Sequence, residues 1–234
     1  MEKISARESS PNFFEVILML ENVLTILQNP GSSFALLGIL LLTGFCLYLR
    51  RIKLTTSILI NISLMLALAV LLHQLRLYHF PQGGSVTPGG MIPLLIISFR
   101  YGAGIGALAG FVFGLINMIQ DPFILHPIQV LFDYPLPYMA MGLAGLSRNF
   151  ILAAIMAFAG RFACHFISGV VFFASYAPEG MSPIIYSLMA NATYMLPEMV
   201  ICCVILKFLP VERLLRAMDK NTPNPYLAAN SNTR

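Results

Sequence analysis

The chain has 234 residues, of which 58% are apolar and 10% charged. A soluble domain carries roughly 25% charged residues and a disordered segment has low hydrophobicity, so both classes are excluded. A net charge of +4 with no basic run leaves nothing for nucleic acid to grip. At about 20 apolar residues per crossing, the length accommodates about six to eight transmembrane helices, which predicts an all-α, polytopic membrane helix bundle.

In chain order, the polar stretch 1–12 precedes 13–28, an apolar, partly amphipathic segment with Glu15 and Glu21 that reads as a helix on the membrane surface. The first span is 33–49, closed by Arg50, Arg51 and Lys53, which belong on the cytoplasmic side. A second span, 55–77, leads into a Gly- and Pro-rich outer stretch at 78–90. The return at 91–99 is short, so part of the preceding loop is expected to dip into the protein. Segment 102–120 spaces Gly102, Gly106, Gly110 and Gly114 four residues apart, a smooth face for close helix packing. An outer turn at 121–126 is followed by a descending span, 127–146, and an inner turn at Ser147, Arg148 and Asn149. The last two spans are 150–173 and 183–209, joined by an outer loop with Glu179 and ending near Lys207, Arg213, Arg216 and Lys220.

Seven spans with the basic clusters inside place the N-terminus outside and the C-terminus in the cytoplasm of a multi-pass cell-membrane protein. The predicted organisation is a surface helix and extra span at 1–53, a membrane core at 54–209, and a largely disordered cytoplasmic tail at 210–234. Cys46, Cys164, Cys202 and Cys203 all lie in apolar stretches as small hydrophobes without CxxC pairing. The four histidines are scattered, and no metal or cofactor is expected.

Charged residues inside a bilayer are costly and need partners. Asp133, Arg161 and Glu198 fall within predicted spans, with His165 and Asn191 as uncharged polar companions. Counting inward from the outer helix ends at ~1.5 Å per residue, Asp133, His165 and Asn191 reach one level, roughly 10 to 14 Å deep. Tyr134, Phe173, Tyr186 and Tyr194 surround that level. An acid within aromatic walls suits a cation. The bland alternative is that the histidine and asparagine bond backbone carbonyls and the tyrosines mark the headgroup boundary. Arg161 and Glu198 lie deeper and are expected to form one buried ion pair below the pocket. The sequon Asn191-Ala192-Thr193 sits inside a span and is read as fortuitous.

The runs FPQGGSVT at 80–87, HPIQVLFDYP at 126–135, GRFACHFISG at 160–169, FASYAPEG at 173–180 and YSLMANATYMLPE at 186–198 resemble the thiamine-specific substrate-binding subunits (S components) of energy-coupling factor transporters. The resemblance covers roughly 54–209 and implies a six-helix S-component core with an outward-opening pocket capped by the first outer loop. The span 33–49 is then an extra N-terminal transmembrane helix. Carried over residue by residue, it implies substrate-binding roles for Asp133, Tyr134, His165, Gly169, Phe173, Tyr186 and Asn191. Some relatives carry glutamate where this chain has Asp133 and tryptophan where it has Phe173, and this chain has no tryptophan. The implied ligand is thiamine, and the implied partners are a transmembrane coupling subunit and two ATPase subunits. Ser63 and Ala67 are the candidates for a small-residue face toward the coupling subunit. No Gly-x-x-x-x-Gly-Lys-Ser/Thr run occurs, so ATP chemistry falls to partners. The alternatives are an autonomous proton-coupled carrier using Asp133 or His165, and an intramembrane enzyme, which these residues serve poorly because no nucleophile accompanies them.

Overall fold

A computed structural model describes residues 30–49, 54–80 and 84–218. The expected surface helix at 13–28, the basic cluster Arg50, Arg51 and Lys53, and residues 219–234 of the tail lie outside the described residues. Helix α1 (Pro30–Leu49) is followed by α2 (Thr56–Gln74), whose first turn is closed by Thr55 accepting from the Ile58 amide at 3.3 Å. A short antiparallel hairpin, β1 (Tyr78–His79) with β2 (Ser85–Val86), lies within the Gly- and Pro-rich stretch 78–90. Then come α3 (Ile92–Tyr101) and α4 (Ala103–Gln120).

Residues 127–146, expected as one descending helix, form three pieces: α5 (Pro127–Asp133), α6 (Pro135–Met139) and a 3-10 segment, Ala140–Leu146. Proline is the cause. Pro135 has no amide hydrogen and crowds Tyr134, where the backbone departs from helical values at φ −118 and ψ −74. Helix α7 (Phe150–Phe172) is capped by the Asn149 side chain, which accepts from Ile151 and Leu152 at 3.0 and 3.1 Å. A 3-10 turn (Ala174–Tyr176) leads to α8 (Pro183–Phe208) and α9 (Val211–Met218).

Among the described residues, α2, α4, α7 and α8 are long and apolar enough to cross a membrane. Their outer faces expose Leu59, Leu64, Leu71, Leu152, Ile184 and Val200, side chains that hydrocarbon accommodates and water does not. Short α3 is the central rod, with every residue from Ile92 to Arg100 buried. The loop before it does dip inward, burying Ser85 and Thr87. The glycine face of α4 meets backbone: a Cβ on Gly110 would strike the Tyr138 carbonyl, and one on Gly114 the Tyr134 carbonyl. Gly102 is not part of that face; it is the joint between α3 and α4, at φ +85. Helix α1 lies against this same region, with Phe45 and Phe111 ring centroids 6.4 Å apart and Gly38 beside Phe132.

Residues 211–218, placed in the tail on sequence, are helical, with Val211 and Leu215 buried. Asn61 of α2 donates to the Met218 carbonyl at 2.6 Å and to the Tyr101 hydroxyl at 2.9 Å, fastening α9 to the bundle end.

A polar and aromatic cavity at one end of the helices

The hairpin, the 121–126 turn and helices α5, α7 and α8 enclose a cavity of about 180 Å³. All seven residues singled out on sequence line it: Asp133, Tyr134, His165, Gly169, Phe173, Tyr186 and Asn191. Asp133, the last residue of α5, meets His165 of α7 with Oδ1 and Nδ1 3.3 Å apart, their side chains 15% and 13% exposed. The second Asp133 oxygen accepts from Gln129 Nε2. His165 Nε2 is buried with no hydrogen-bond partner among the described residues.

Asn191 of α8 is held tightly. Its amide donates to the Ser187 carbonyl at 2.9 Å and the His165 carbonyl at 3.3 Å, and its oxygen accepts from the Tyr194 hydroxyl at 2.9 Å. Gly169 permits this approach of α7 to α8: a Cβ there would come within 2.8 Å of Ser187 Cβ and 3.3 Å of Asn191 Nδ2. Phe173 stacks on Phe123 with centroids 5.7 Å apart and planes at 20°, and Tyr176 packs on both. Tyr134 contributes its ring to the cavity wall, but its hydroxyl is used by the turn: it donates to the Asp121 carbonyl at 2.8 Å and accepts from the Phe123 amide at 2.7 Å. Tyr186 is half-buried at the start of α8.

Arg161 and Glu198 do pair, at 2.7 Å. Arg161 is also part of the cavity lining, with the guanidinium 5.0 Å from the Tyr138 ring centroid. Glu198 also accepts from the Thr87 hydroxyl at 2.7 Å, so the inward-dipping loop is anchored to the same carboxylate. At the mouth, Arg76 pairs with Asp121 at 3.0 Å and contacts His79 Nδ1 at 3.1 Å, while His79 Nδ1 also bonds Ser85 Oγ at 2.9 Å. The hairpin is thereby tied to the end of α4.

Sequence reasoning missed Gln129, Asn117, Tyr138 and Phe123, all in the lining. Asn117 was detectable as an amide inside an apolar span, and Gln129 as the residue one turn before Asp133 on the same helix face. Phe123, in a turn without periodicity, gave no signal.

These features define a multi-pass membrane protein built around a pocket whose lining combines two acids, Asp121 and Asp133, the imidazoles of His73, His79 and His165, and stacked rings, the architecture of a small-molecule membrane carrier or binding subunit. Residues 59–217 match the family described as thiamine transporter protein (Thia_YuaJ), and the chain belongs to that family. It is 39% identical over 181 residues to thiamine transporter ThiT of Bacillus subtilis strain 168, spanning 68% of this chain and 94% of that protein. It is 33% identical over 123 residues to thiamine transporter ThiT of Lacticaseibacillus paracasei, spanning 44% of this chain and 61% of that one. A solved structure of ThiT from Listeria monocytogenes superposes with a TM-score of 0.61 over 69% of this chain and 96% of that chain at 22% identity, which establishes the shared fold.

Proposed function

We propose that this chain captures thiamine in the cavity, with Asp133, Tyr134, His165, Gly169, Phe173, Tyr186 and Asn191 forming the binding site. The observation that carries the reading is the Asp133 carboxylate, fixed at the cavity wall beside His165 and Gln129. Thiamine has a permanently charged thiazolium ring and a hydrogen-bonding aminopyrimidine. Of the two acids in the lining, Asp121 is paired with Arg76, and the Arg161 charge is offset by Glu198, which leaves Asp133 as the acid available to a cation. At an effective dielectric constant near 20, two opposite charges about 4 Å apart attract by about 4 kcal/mol, and each aromatic face adds about 0.5 to 2 kcal/mol. The names of the relatives agree with this ligand.

The same reading makes the chain the S component of an ATP-driven energy-coupling factor importer, assembled with a transmembrane coupling subunit and two ATPase subunits. Ser63 and Ala67 lie exposed on α2, a small-residue patch among large apolar side chains suited to a membrane-embedded partner. The basic residues Arg148, Lys207, Arg213 and Arg216 sit at the helix ends remote from the cavity mouth, which supports a cytoplasmic C-terminus and a pocket loaded from outside.

Calorimetric titration of the purified chain with thiamine tests the reading. The wild type binds, and Asp133→Asn folds but loses more than about tenfold in affinity, equivalent to ~1.4 kcal/mol. Equal affinity in the two proteins removes Asp133 from the site. In liposomes containing this chain alone, robust thiamine uptake driven by a pH gradient would replace the partner-dependent importer with a proton-coupled carrier.

A further inference from the structure

Gln129 is 1% exposed, and its side chain is saturated. Its Oε1 lies 3.0 Å from the Leu125 amide and 3.5 Å from the His126 amide, and backbone N–H groups only donate, so this end of the carboxamide must be the oxygen. The nitrogen end is then forced toward two acceptors, the Phe123 carbonyl at 3.0 Å and Asp133 Oδ2. Both N–H bonds are spent, one on the turn and one on the acid. Gln129 and Asp133 are four residues apart on α5, neighbours on one helix face.

The position of Asp133 explains why such a brace matters. It is the final residue of α5, immediately before the break at Tyr134 and Pro135, so continuing helix does not restrain its side chain from the C-terminal side. His165 engages only Oδ1, at 3.3 Å. A carboxylate has about four lone-pair sites, so with one fixed partner on each oxygen it retains acceptor capacity for a ligand while losing the freedom to rotate away from it.

We propose that Gln129 is a positioning residue for ligand capture: by clamping Asp133 Oδ2 from a carboxamide locked to the 123–126 turn, it aims the carboxylate at the cationic ligand and sets affinity through Asp133. This rests on the reading of Asp133 as the thiamine counter-ion. The same clamp joins the acid to Phe123, the ring that stacks on Phe173, so the charge and the aromatic wall hold one register.

The test is a double-mutant cycle on the purified full chain, reading thiamine affinity by calorimetry and folding by the melting temperature of the ligand-free protein. Gln129→Met is expected to lose at least tenfold in affinity in the wild-type background and less than threefold in the Asp133→Asn background. Equal losses in both backgrounds would make Gln129 a brace of the turn alone and overturn the proposal, as would no loss in the wild type. Undiminished binding by Asp133→Asn is a different failure, since it removes the counter-ion itself. Should Gln129→Met not fold, Gln129→Asn, a methylene too short to serve the turn and Asp133 together, goes through the same cycle with the same two expectations.

Discussion

Arg161 of α7 and Glu198 of α8 face each other as an ion pair of 2.7 Å whose side chains are 2% and 0% exposed. Two charges so deeply placed are tolerated because each is the other's partner, and Thr87 adds a hydrogen bond to the acid. Removing one strands the other. Arg161→Ala is therefore expected to cost several kcal/mol, about 3 to 5 on general grounds, whereas the double change with Glu198→Ala recovers most of it. Folded yield and melting temperature in detergent check this, and equal damage by the single and double variants contradicts it.

The Tyr134 hydroxyl is engaged on both sides by the turn at 121–123. Tyr134→Phe keeps the ring in the cavity wall but leaves the Asp121 carbonyl and the Phe123 amide without that partner, at a cost of about 1 to 3 kcal/mol. Because Phe123 is the stacking partner of Phe173, thiamine release is expected to quicken. Stopped-flow dissociation measures it; an unchanged release rate would mean that Gln129 and the Arg76–Asp121 pair hold the turn without the Tyr134 hydroxyl.

Arg76 and Asp121 bridge the hairpin to the end of α4 with side chains 23% and 39% exposed. Pairs this open are worth about 0 to 1 kcal/mol and are screened by salt. Asp121→Ala is expected to raise both association and dissociation rates of thiamine while moving the equilibrium constant by less than about fivefold. Raising ionic strength on the wild type should shift the rates in the same direction, and a change of tens-fold in affinity would give Asp121 a direct ligand role instead.

Glycine at 110 is set by contact with backbone, and glycine at 44 is not. A Cβ at Gly110 meets the Tyr138 carbonyl, whereas one at Gly44 has nothing within 4 Å among the described residues. Ala exceeds Gly in helix propensity by about 1 kcal/mol, and forced overpacking costs about 1 to 3 kcal/mol. Gly110→Ala should thus lower the melting temperature and Gly44→Ala should hold or raise it; the reverse order would contradict the close packing of α4 on α6.

The sequence by itself determined the class of molecule and the depth at which its polar groups lie. Hydrocarbon accepts so few charges that Asp133, Arg161 and Glu198 had to be partnered, and the ~1.5 Å rise of a helix converts residue number into depth, which is why Asp133, His165 and Asn191 were legible as one level. The short return at 91–99 likewise announced a loop that dips inward. Val211, Leu214, Leu215 and Met218 recur at helical spacing, so α9 was also written in the chain, masked by the polar composition that follows it. Rotation about a helix axis and the choice of neighbour are different quantities, decided by packing among several elements at once. The break of 127–146 at Pro135 follows from the proline, whereas only the tertiary structure turned the Tyr134 hydroxyl to the 121–123 turn, brought Arg161 into the cavity wall and locked Gln129 between Asp133 and Phe123. Depth follows from one helix alone, whereas direction requires all the helices that touch it.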